Sequence, residues 1–244
     1  MTNKYKLIIL PGWGGSQKTW AAFITRIEPL FSSVTVIDLP CFGNEPCPKE
    51  VWGVEEYAGF VKKTIAQIPT DSSKKTVLLG HSFGGQIAAY LAATEPSICD
   101  ILILSGAALY RPKKSIKRAI FWALAKTGKA FFSLPLLRSQ EQRVKRMLYK
   151  VADSPDYEKT KDIQREIFKK VIRQDTSHVL SKISCPTALV WGEHDRYTPL
   201  AFVKKIQHAV PLSTAYIIKK GSHGLHIHKP SEFAEIIQTI IETS

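Results

Sequence analysis

Several features of other protein classes are missing from this sequence of 244 residues. Its longest unbroken apolar run, about residues 119–125, falls far short of the ~20 residues of a membrane-spanning helix. No hydrophobic signal region follows a basic start at the N-terminus. The four cysteines fall at no spacing typical of a metal or redox site; they are Cys41, Cys47, Cys99 and Cys185. We therefore expect a protein of the reducing cytoplasm with no transmembrane segment, no metal and no cofactor.

The composition suits one large α/β domain, because 44% hydrophobic and 10% aromatic residues can fill a sizeable core. Short apolar strands alternate with helical stretches, which predicts a mostly parallel six-stranded sheet with helices on both faces. The predicted strands are 7–10, 34–37, 76–79, 101–104, 188–191 and 215–218. The predicted helices are 19–27, 54–68, 86–94, 199–208 and 231–242.

The most informative motif is Gly-His-Ser-Phe-Gly at residues 80–84, which follows the predicted strand 76–79 and precedes a helical stretch. A G-x-S-x-G pattern between a strand and a helix is typical of a nucleophile elbow. The turn is so tight that small residues are needed two positions before and after the serine. We predict that Ser82 is a nucleophile, and an ordinary Gly-rich turn is the alternative.

An elbow serine requires an acid and a histidine that follow it in that order along the chain. Asp195 lies in a polar loop after the predicted strand 188–191, and His223 lies in the loop after the predicted strand 215–218. We predict that His223 is the general base and that Asp195 orients it and stabilises its imidazolium form.

Other ionisable residues near this pair are alternatives. Glu193 is a second candidate acid, and the other candidate bases are His194, His226 and His228. The three histidines of residues 223–228 also suggest a metal-binding tract. No cysteine or carboxylate joins them at ligand spacing, so we predict no metal site there. His81, beside the nucleophile, is expected to point away from it and to pack.

An acyl-transfer site also needs two backbone N–H groups that stabilise the oxyanion of the tetrahedral intermediate. One predicted donor is Phe83, the residue after the nucleophile. The other is Trp13, in the loop Pro-Gly-Trp-Gly-Gly-Ser at residues 11–16, after the predicted strand 7–10. This loop matches neither a dinucleotide fingerprint nor a P-loop, which disfavours nucleotide binding.

Taken together, these motifs resemble those of α/β-hydrolases with a serine nucleophile. The resemblance is carried by segments 11–16, 38–43, 80–84, 191–195 and 221–223, in the family's order. Two departures are Pro11, where most relatives have histidine, and Cys41, where relatives often have glycine. The resemblance implies an α/β-hydrolase core formed by residues 1–108 and 181–244, with residues 109–180 inserted as a helical lid.

The predicted lid carries most of the net charge of +13. Residues 111–173 contain 18 Lys and Arg against 6 Asp and Glu, a net of +12, which leaves +1 for the rest of the chain. Apolar residues at helical spacing in residues 113–126 are surrounded by Lys and Arg, which predicts a basic amphipathic helix. Such a helix could bind an acidic carrier protein or an anionic membrane surface, or it could be simply solvated. Specific nucleic-acid binding is disfavoured because no recognition motif is present.

Among lidded carboxylesterases, the chain looks most similar to the pimeloyl-carrier methyl ester esterases, which use lid arginines to hold an acidic carrier. The resemblance implies a serine hydrolase that cleaves small-molecule carboxylic esters through an acyl-enzyme. A thioesterase and a carbon–carbon bond hydrolase use the same triad and remain alternatives. A ligand receptor that retains the hydrolase fold is an alternative of a different class.

Overall fold

The structure is a computed structural model that describes residues 4–69, 73–110 and 162–244. Within these residues six strands form one sheet in the order β2-β1-β3-β4-β5-β6. The strands are β1 (Tyr5–Leu10), β2 (Ser33–Val36), β3 (Lys75–His81), β4 (Ile101–Ser105), β5 (Thr187–Gly192) and β6 (Ser213–Ile218). Every neighbouring pair is parallel. The predicted six-stranded sheet is therefore confirmed.

The α-helices of the described residues surround this sheet. They are α1 (Gln17–Ile27), α2 (Val54–Gln67), α3 (Ser82–Thr94), α4 (Asp162–Val171), α5 (Ala201–Ala209), α6 (Leu225–His228) and α7 (Pro230–Glu242). Helix α3 begins four residues before the predicted start at residue 86. The two glycines after Phe83 are typical of a turn, but they lie within the helix. Glycine is required at position 84 because β1 passes so close that a Cβ there would overlap the Leu10 carbonyl oxygen. In the part of the chain that is described, no helix is long and apolar enough to cross a membrane.

Successive strand residues point to opposite faces of the sheet, where two hydrophobic clusters lie. In β1, Ile8 and Leu10 belong to the cluster that includes residues of α2, α3 and α5. Leu7 and Ile9 belong to the cluster that includes residues of α1 and α7. This alternation confirms that helices cover both faces, and it explains why each strand reads as a continuous apolar run.

The order of the strands reverses between β1 and β3, because the chain passes from β1 to β2 on one side and returns to β3 on the other. In open parallel α/β sheets, ligands bind outside the carboxyl ends of the strands at such a switch point. Strands β1 and β3 end there at Leu10 and His81. The fold therefore brings the loop after β1 and the turn after β3 to one crevice.

The insertion predicted at residues 109–180 separates β4 from β5. Its last part is described: α4 buries Ile167, Phe168 and Val171 against the core. A 3₁₀ segment at Ser177–Lys182 then leads into β5. The predicted basic amphipathic helix at residues 113–126 lies outside the described residues, and the helical lid stays a prediction.

No disulfide is predicted from the sequence, but the structure contains one. Cys41 and Cys47 form a disulfide, whereas Cys99 and Cys185 are free and buried, with their sulfur atoms 3.9 Å apart. The pairing depends on a turn that brings the Cys41 N–H to the Pro46 carbonyl oxygen at 3.3 Å. The spacing of the two cysteines matches no known motif, so no signal in the sequence predicts this bond.

Candidate active site

Ser82 stands at the sharp turn where β3 ends and α3 begins. Its backbone has a φ of +52°, in the left-handed region that non-glycine residues rarely occupy. Its carbonyl oxygen accepts a hydrogen bond from the Ala108 N–H at 3.0 Å, which ties the turn to the segment after β4. Such strain persists only where the surroundings hold it, and it clusters at functional sites. The geometry of a nucleophile elbow is present.

The structure brings Ser82, His223 and Asp195 together. The Ser82 Oγ atom lies 2.9 Å from Nε2 of His223. On the other side of the ring, Nδ1 of His223 lies 2.8 Å from Oδ2 of Asp195. A carboxylate can only accept, so the Nδ1–H donates to Asp195 and leaves Nε2 as an acceptor for the serine hydroxyl.

Asp195 is buried, and several donors hold its carboxylate in place. Oδ1 accepts the backbone N–H groups of Tyr197 and Thr198, each at 2.9 Å. Oδ2 accepts the Thr198 hydroxyl at 2.8 Å in addition to the histidine ring. Sequence reasoning missed Thr198. An aspartate that bonds backbone N–H groups two and three residues ahead is a common turn, so the Asp-x-x-Thr spacing was an available signal.

The loops that carry the acid and the base cross at two glycines. A Cβ on Gly192, at the end of β5, would lie 2.5 Å from the Gly221 carbonyl oxygen. Beside this crossing, the His194 N–H donates to the Gly221 carbonyl oxygen at 2.8 Å. Two glycines are needed here because only the absence of side chains lets the backbones approach so closely.

The alternative acid and two of the alternative bases are not part of the hydrogen-bonded group of Ser82, His223 and Asp195. Glu193 is exposed, accepts the Lys220 N–H at 2.9 Å, and is 3.8 Å from the His194 imidazole. His194 and His228 are exposed. The hydrogen bonds to Ser82 and Asp195 are those of His223. The geometry therefore favours the predicted acid and base over these neighbours.

Two further histidines are buried behind His223. The His226 ring stacks on Trp20 with centroids 4.0 Å apart, and its Nδ1 has no hydrogen-bond partner among the described residues. Burial, with smaller effects of His223 and His228, lowers the pKa of His226 to about 4. The Nδ1–H of His81 donates to the Ser105 carbonyl oxygen at 3.0 Å.

Burial also lowers the pKa of His81 well below its usual value, and the nearby His223 and His226 add to this effect. Both buried rings are therefore neutral at neutral pH. His81 packs as predicted, with its ring centroid 4.8 Å from that of His223.

One predicted oxyanion donor lies at the elbow, and the other lies in the loop after β1. Phe83 is the second residue of α3, so its N–H is among those that a helix leaves without an intrahelical acceptor. Trp13 follows Gly12, where a Cβ would be only 3.1 Å from the Ser82 Cβ atom. Among the loop and turn hydrogen bonds of the described residues, none is donated by the Trp13 N–H. The two N–H groups stay predicted oxyanion donors.

The Trp13 side chain is held by three aromatic rings. Its centroid lies 4.8 Å from that of Phe42, 5.7 Å from that of Phe83 and 4.9 Å from that of Phe168. These rings come from the loop after β2, from the elbow and from α4.

No group of three or more His, Cys, Asp or Glu side chains that could hold a metal occurs in residues 4–69, 73–110 and 162–244.

Comparison with known proteins assigns this site to a family. The family model described as the alpha/beta hydrolase family matches residues 7–236, which is most of the chain. The chain belongs to the alpha/beta hydrolase family. The sequence-based resemblance is therefore confirmed, and the elbow after β3 lies within the matched part of this alpha/beta hydrolase.

The relatives of this alpha/beta hydrolase include esterases. A pimeloyl-acyl-carrier-protein methyl ester esterase from Aeromonas hydrophila subsp. hydrophila is 24% identical, and the match covers 96% of this chain and 94% of that protein. An uncharacterised hydrolase, YugF, from Bacillus subtilis is 28% identical over 98% of this chain and 91% of its own length. These names and the family support a hydrolase activity of the esterase type.

A solved structure shares the fold. The crystal structure of a membrane phospholipase A described as a bacterial virulence factor matches with a TM-score of 0.72 and 23% identity, over 100% of this chain and 80% of that one. At this identity the likeness concerns the fold alone.

Proposed function

We propose that this alpha/beta hydrolase cleaves carboxylic esters through an acyl-enzyme intermediate on Ser82. One observation carries the proposal: His223 bridges the Ser82 hydroxyl and the buried Asp195 carboxylate with hydrogen bonds of 2.9 and 2.8 Å. A serine is weak as a nucleophile unless an adjacent base takes its proton, and the base needs a third group to orient it. The three residues fit these roles.

In the first half of the proposed reaction, the Ser82 oxygen attacks the ester carbonyl carbon while Nε2 of His223 accepts the hydroxyl proton. The carbonyl oxygen becomes an oxyanion, which the N–H groups of Trp13 and Phe83 stabilise. Asp195 stabilises the positive charge on the imidazolium without taking its proton. The donors around Asp195 keep that carboxylate fixed, so little reorganisation is needed.

The intermediate then breaks its bond to the alcohol oxygen, and the imidazolium of His223 donates the proton to that leaving group. The acyl group stays on Ser82. In the second half, His223 takes a proton from a water molecule, whose oxygen attacks the acyl carbon. The same two N–H groups stabilise the second oxyanion. As it collapses, the imidazolium of His223 donates its proton to the Ser82 oxygen, which restores the serine and releases the carboxylic acid.

For the substrate class, we propose an acyl ester presented by an acidic carrier protein. The Aeromonas relative acts on a carrier-linked methyl ester, as its name states. In this chain, residues 111–173 carry a net charge of +12, which would attract an acidic partner. An anionic membrane surface is the alternative partner for the same charge.

Turnover of a matched substrate panel tests the reaction class. We would compare p-nitrophenyl acetate with an acetyl thioester and with a carbon–carbon substrate, using wild-type protein and Ser82→Ala. We expect hydrolysis of the ester to exceed that of the other two and to disappear in the variant. A preference for the thioester or the carbon–carbon bond would contradict the proposal. No turnover above that of Ser82→Ala would indicate a receptor instead.

A further inference from the structure

The loop at residues 38–47 is here called the disulfide loop. It lies beside the loop at residues 11–16, which carries the proposed donor Trp13 and is here called the oxyanion loop. The Cys41–Cys47 disulfide closes the disulfide loop. Cys41 has a φ of +76°, a left-handed conformation that is unfavourable for a residue other than glycine. Such a backbone is retained only where neighbouring groups enforce it. The disulfide is one such group, and the bond from Cys41 N–H to Pro46 is another.

The disulfide loop contacts Trp13 directly. Phe42 follows Cys41 in the chain, is buried, and packs edge-on against the Trp13 ring with centroids 4.8 Å apart. An aromatic pair in this arrangement prefers a specific geometry, so a shift of Phe42 would remove one of the contacts that hold the Trp13 ring. The backbone N–H of Trp13 is the proposed oxyanion donor. A contact of two rings therefore links the disulfide to the catalytic geometry.

A second connection runs through Asp38. Its Oδ1 accepts the backbone N–H of Gln17, the first residue of α1, at 2.7 Å. Its Oδ2 accepts the N–H of Asn44, inside the disulfide loop, at 3.2 Å. One carboxylate thus joins the disulfide loop to the helix that directly follows the oxyanion loop. Because the two loops are tied at both places, they are positioned together.

The rest of the disulfide loop is held by contacts to the helical layers. The buried Tyr57 hydroxyl donates to the Pro40 carbonyl oxygen at 3.0 Å. Gln164 of α4 donates from Nε2 to the Cys41 carbonyl oxygen at 3.3 Å. These bonds act together with the disulfide at the Cys41 end, whereas Cys47 is exposed. Apart from the disulfide, nothing comparable in the described residues ties Cys47 to the core.

We propose that the Cys41–Cys47 disulfide positions Trp13 as an oxyanion donor, so that reduction of this bond lowers turnover. The proposal rests on the proposed function. Oxyanion stabilisation acts in the transition state, so a misplaced donor lowers kcat more than it changes KM. A misplacement of about 1 Å can cost as much as ~10²-fold in rate. We expect a fall in kcat of about tenfold on reduction.

The reductant is a dithiol. Its thiolate attacks one sulfur of the Cys41–Cys47 bond and forms a mixed disulfide, which its second thiol then resolves. The protein gains two electrons and two protons as two thiols, and the dithiol becomes a cyclic disulfide. Exposure of Cys47 leaves a route for the attack. Disulfides in a reducing cytoplasm are usually transient, so in the compartment expected from the sequence the bond would respond to redox state.

The chain offers a matched background for the test. Cys99→Ala with Cys185→Ala removes the buried free pair, so the remaining thiols are those of the disulfide loop alone. In this background we would measure kcat and KM for p-nitrophenyl acetate before and after treatment with dithiothreitol, with the reduced cysteines alkylated and counted by mass spectrometry. Thermal melting of the same samples reports whether the fold is retained. The further change Cys41→Ala with Cys47→Ala gives a form that cannot cross-link.

We expect the reduced protein and the variant without Cys41 and Cys47 to have the same lowered kcat, with KM changed by less than about twofold. Dithiothreitol should lower kcat only in the protein that has the disulfide. Phe42→Ala with the disulfide intact should show a similar loss of kcat. Equal kcat before and after complete reduction would overturn the positioning role while leaving ester hydrolysis established. A kcat loss that merely follows unfolding would also overturn it. If neither form turns over ester, the proposed function fails as well.

Discussion

The Ser82 hydroxyl lies 2.9 Å from Nε2 of His223, although the two residues are 141 positions apart in the chain. The serine follows β3 and the histidine follows β6, and β4 and β5 lie between these strands in the sheet. The histidine loop must therefore cross the end of β5 to reach the serine. The close approach of Gly192 and Gly221 permits this crossing.

The assignment of the acid predicts a large effect at one carboxylate and a small one at its neighbour. Asp195→Asn keeps the shape but favours the wrong histidine tautomer, so we expect kcat for an ester to fall on the order of 10⁴-fold. Glu193→Gln is the control, because that exposed side chain bonds the Lys220 N–H instead of the base. A small loss in Asp195→Asn with a large loss in Glu193→Gln would show that the acid is misassigned.

The close packing of α3 on β1 predicts that a single methyl group is not tolerated at Gly84. A Cβ there would overlap the carbonyl oxygens of Leu10 and Pro11. Since backbone atoms cannot move aside easily, we expect Gly84→Ala to lower the free energy of unfolding by more than about 3 kcal/mol.

Gly59→Ala is the matched control for this substitution. Gly59 lies within α2, and among the described residues no atom apart from its chain neighbours and the nearby backbone of that helix lies within 4 Å of the added Cβ. The change should therefore stabilise by about 0.5–1 kcal/mol. Urea unfolding of both variants checks the pair. Equal effects would contradict the packing described at the elbow.

Burial of His226 predicts that the fold loses stability in mild acid. The pKa of His226 falls from its ordinary value of 6.5 to about 4 in the folded protein, chiefly through burial. Between these two values the unfolded chain binds a proton that the folded chain does not. The free energy of unfolding should therefore decrease as the pH falls from 6.5 to 4, by about 3 kcal/mol at about 1.4 kcal/mol per unit.

His226→Phe should keep the stacking on Trp20 while removing this contribution. His81 has its pKa lowered in the same direction and will retain part of the dependence. Denaturant melts at a series of pH values measure the effect, with the exposed His208→Gln as control. If the wild-type protein and His226→Phe lost stability in parallel between pH 6.5 and pH 4, His226 would be excluded as the cause.

The charge of residues 111–173 predicts that salt lowers kcat/KM for an acidic substrate and not for a neutral one. Steered association can gain 10- to 10³-fold in rate, and salt removes this gain as the Debye length falls from about 30 Å at 0.01 M to about 8 Å at 0.15 M. We expect kcat/KM for an acyl methyl ester on an acidic carrier protein to fall steeply over this range. The value for neutral p-nitrophenyl acetate should stay flat.

The matched variant for this prediction changes four basic residues of the segment to serine, namely Lys113, Lys114, Lys117 and Arg118. It should flatten the salt profile of the carrier-linked substrate and leave that of the neutral ester unchanged. A flat profile for both substrates in the wild-type protein would mean that the charge is solvated surface.

The sheet and the places of the three candidate residues in it could be predicted from the sequence because both depend on local patterns. Apolar runs mark the buried parallel strands, and polar loops at their carboxyl ends must meet at one edge of the sheet. Ser82, Asp195 and His223 each follow such a strand, so their meeting follows from the topology. The predicted start of α3 is too late because Gly84 and Gly85 read locally as a turn, whereas the packing on β1 that requires glycine at position 84 is not a local property.

Contacts that depend on how the chain folds back on itself could not be predicted from the sequence for the same reason. The Cys41–Cys47 bond and the stacking of His226 on Trp20 depend on how one segment folds back on another. Thr198 is an intermediate case, since its spacing from Asp195 is local but its role is apparent only once the carboxylate is seen to be buried.

Labelling with a fluorophosphonate probe tests most directly whether His223 activates Ser82 for attack. Only an activated serine attacks such phosphorus centres readily at neutral pH. We predict one adduct in the folded protein, located on Ser82 by mass spectrometry, and none in Ser82→Ala. The rate should fall by several orders of magnitude in His223→Ala, since members of such a triad act as a unit. An adduct on another residue, or labelling of Ser82 that is unchanged in His223→Ala, would contradict the proposed mechanism.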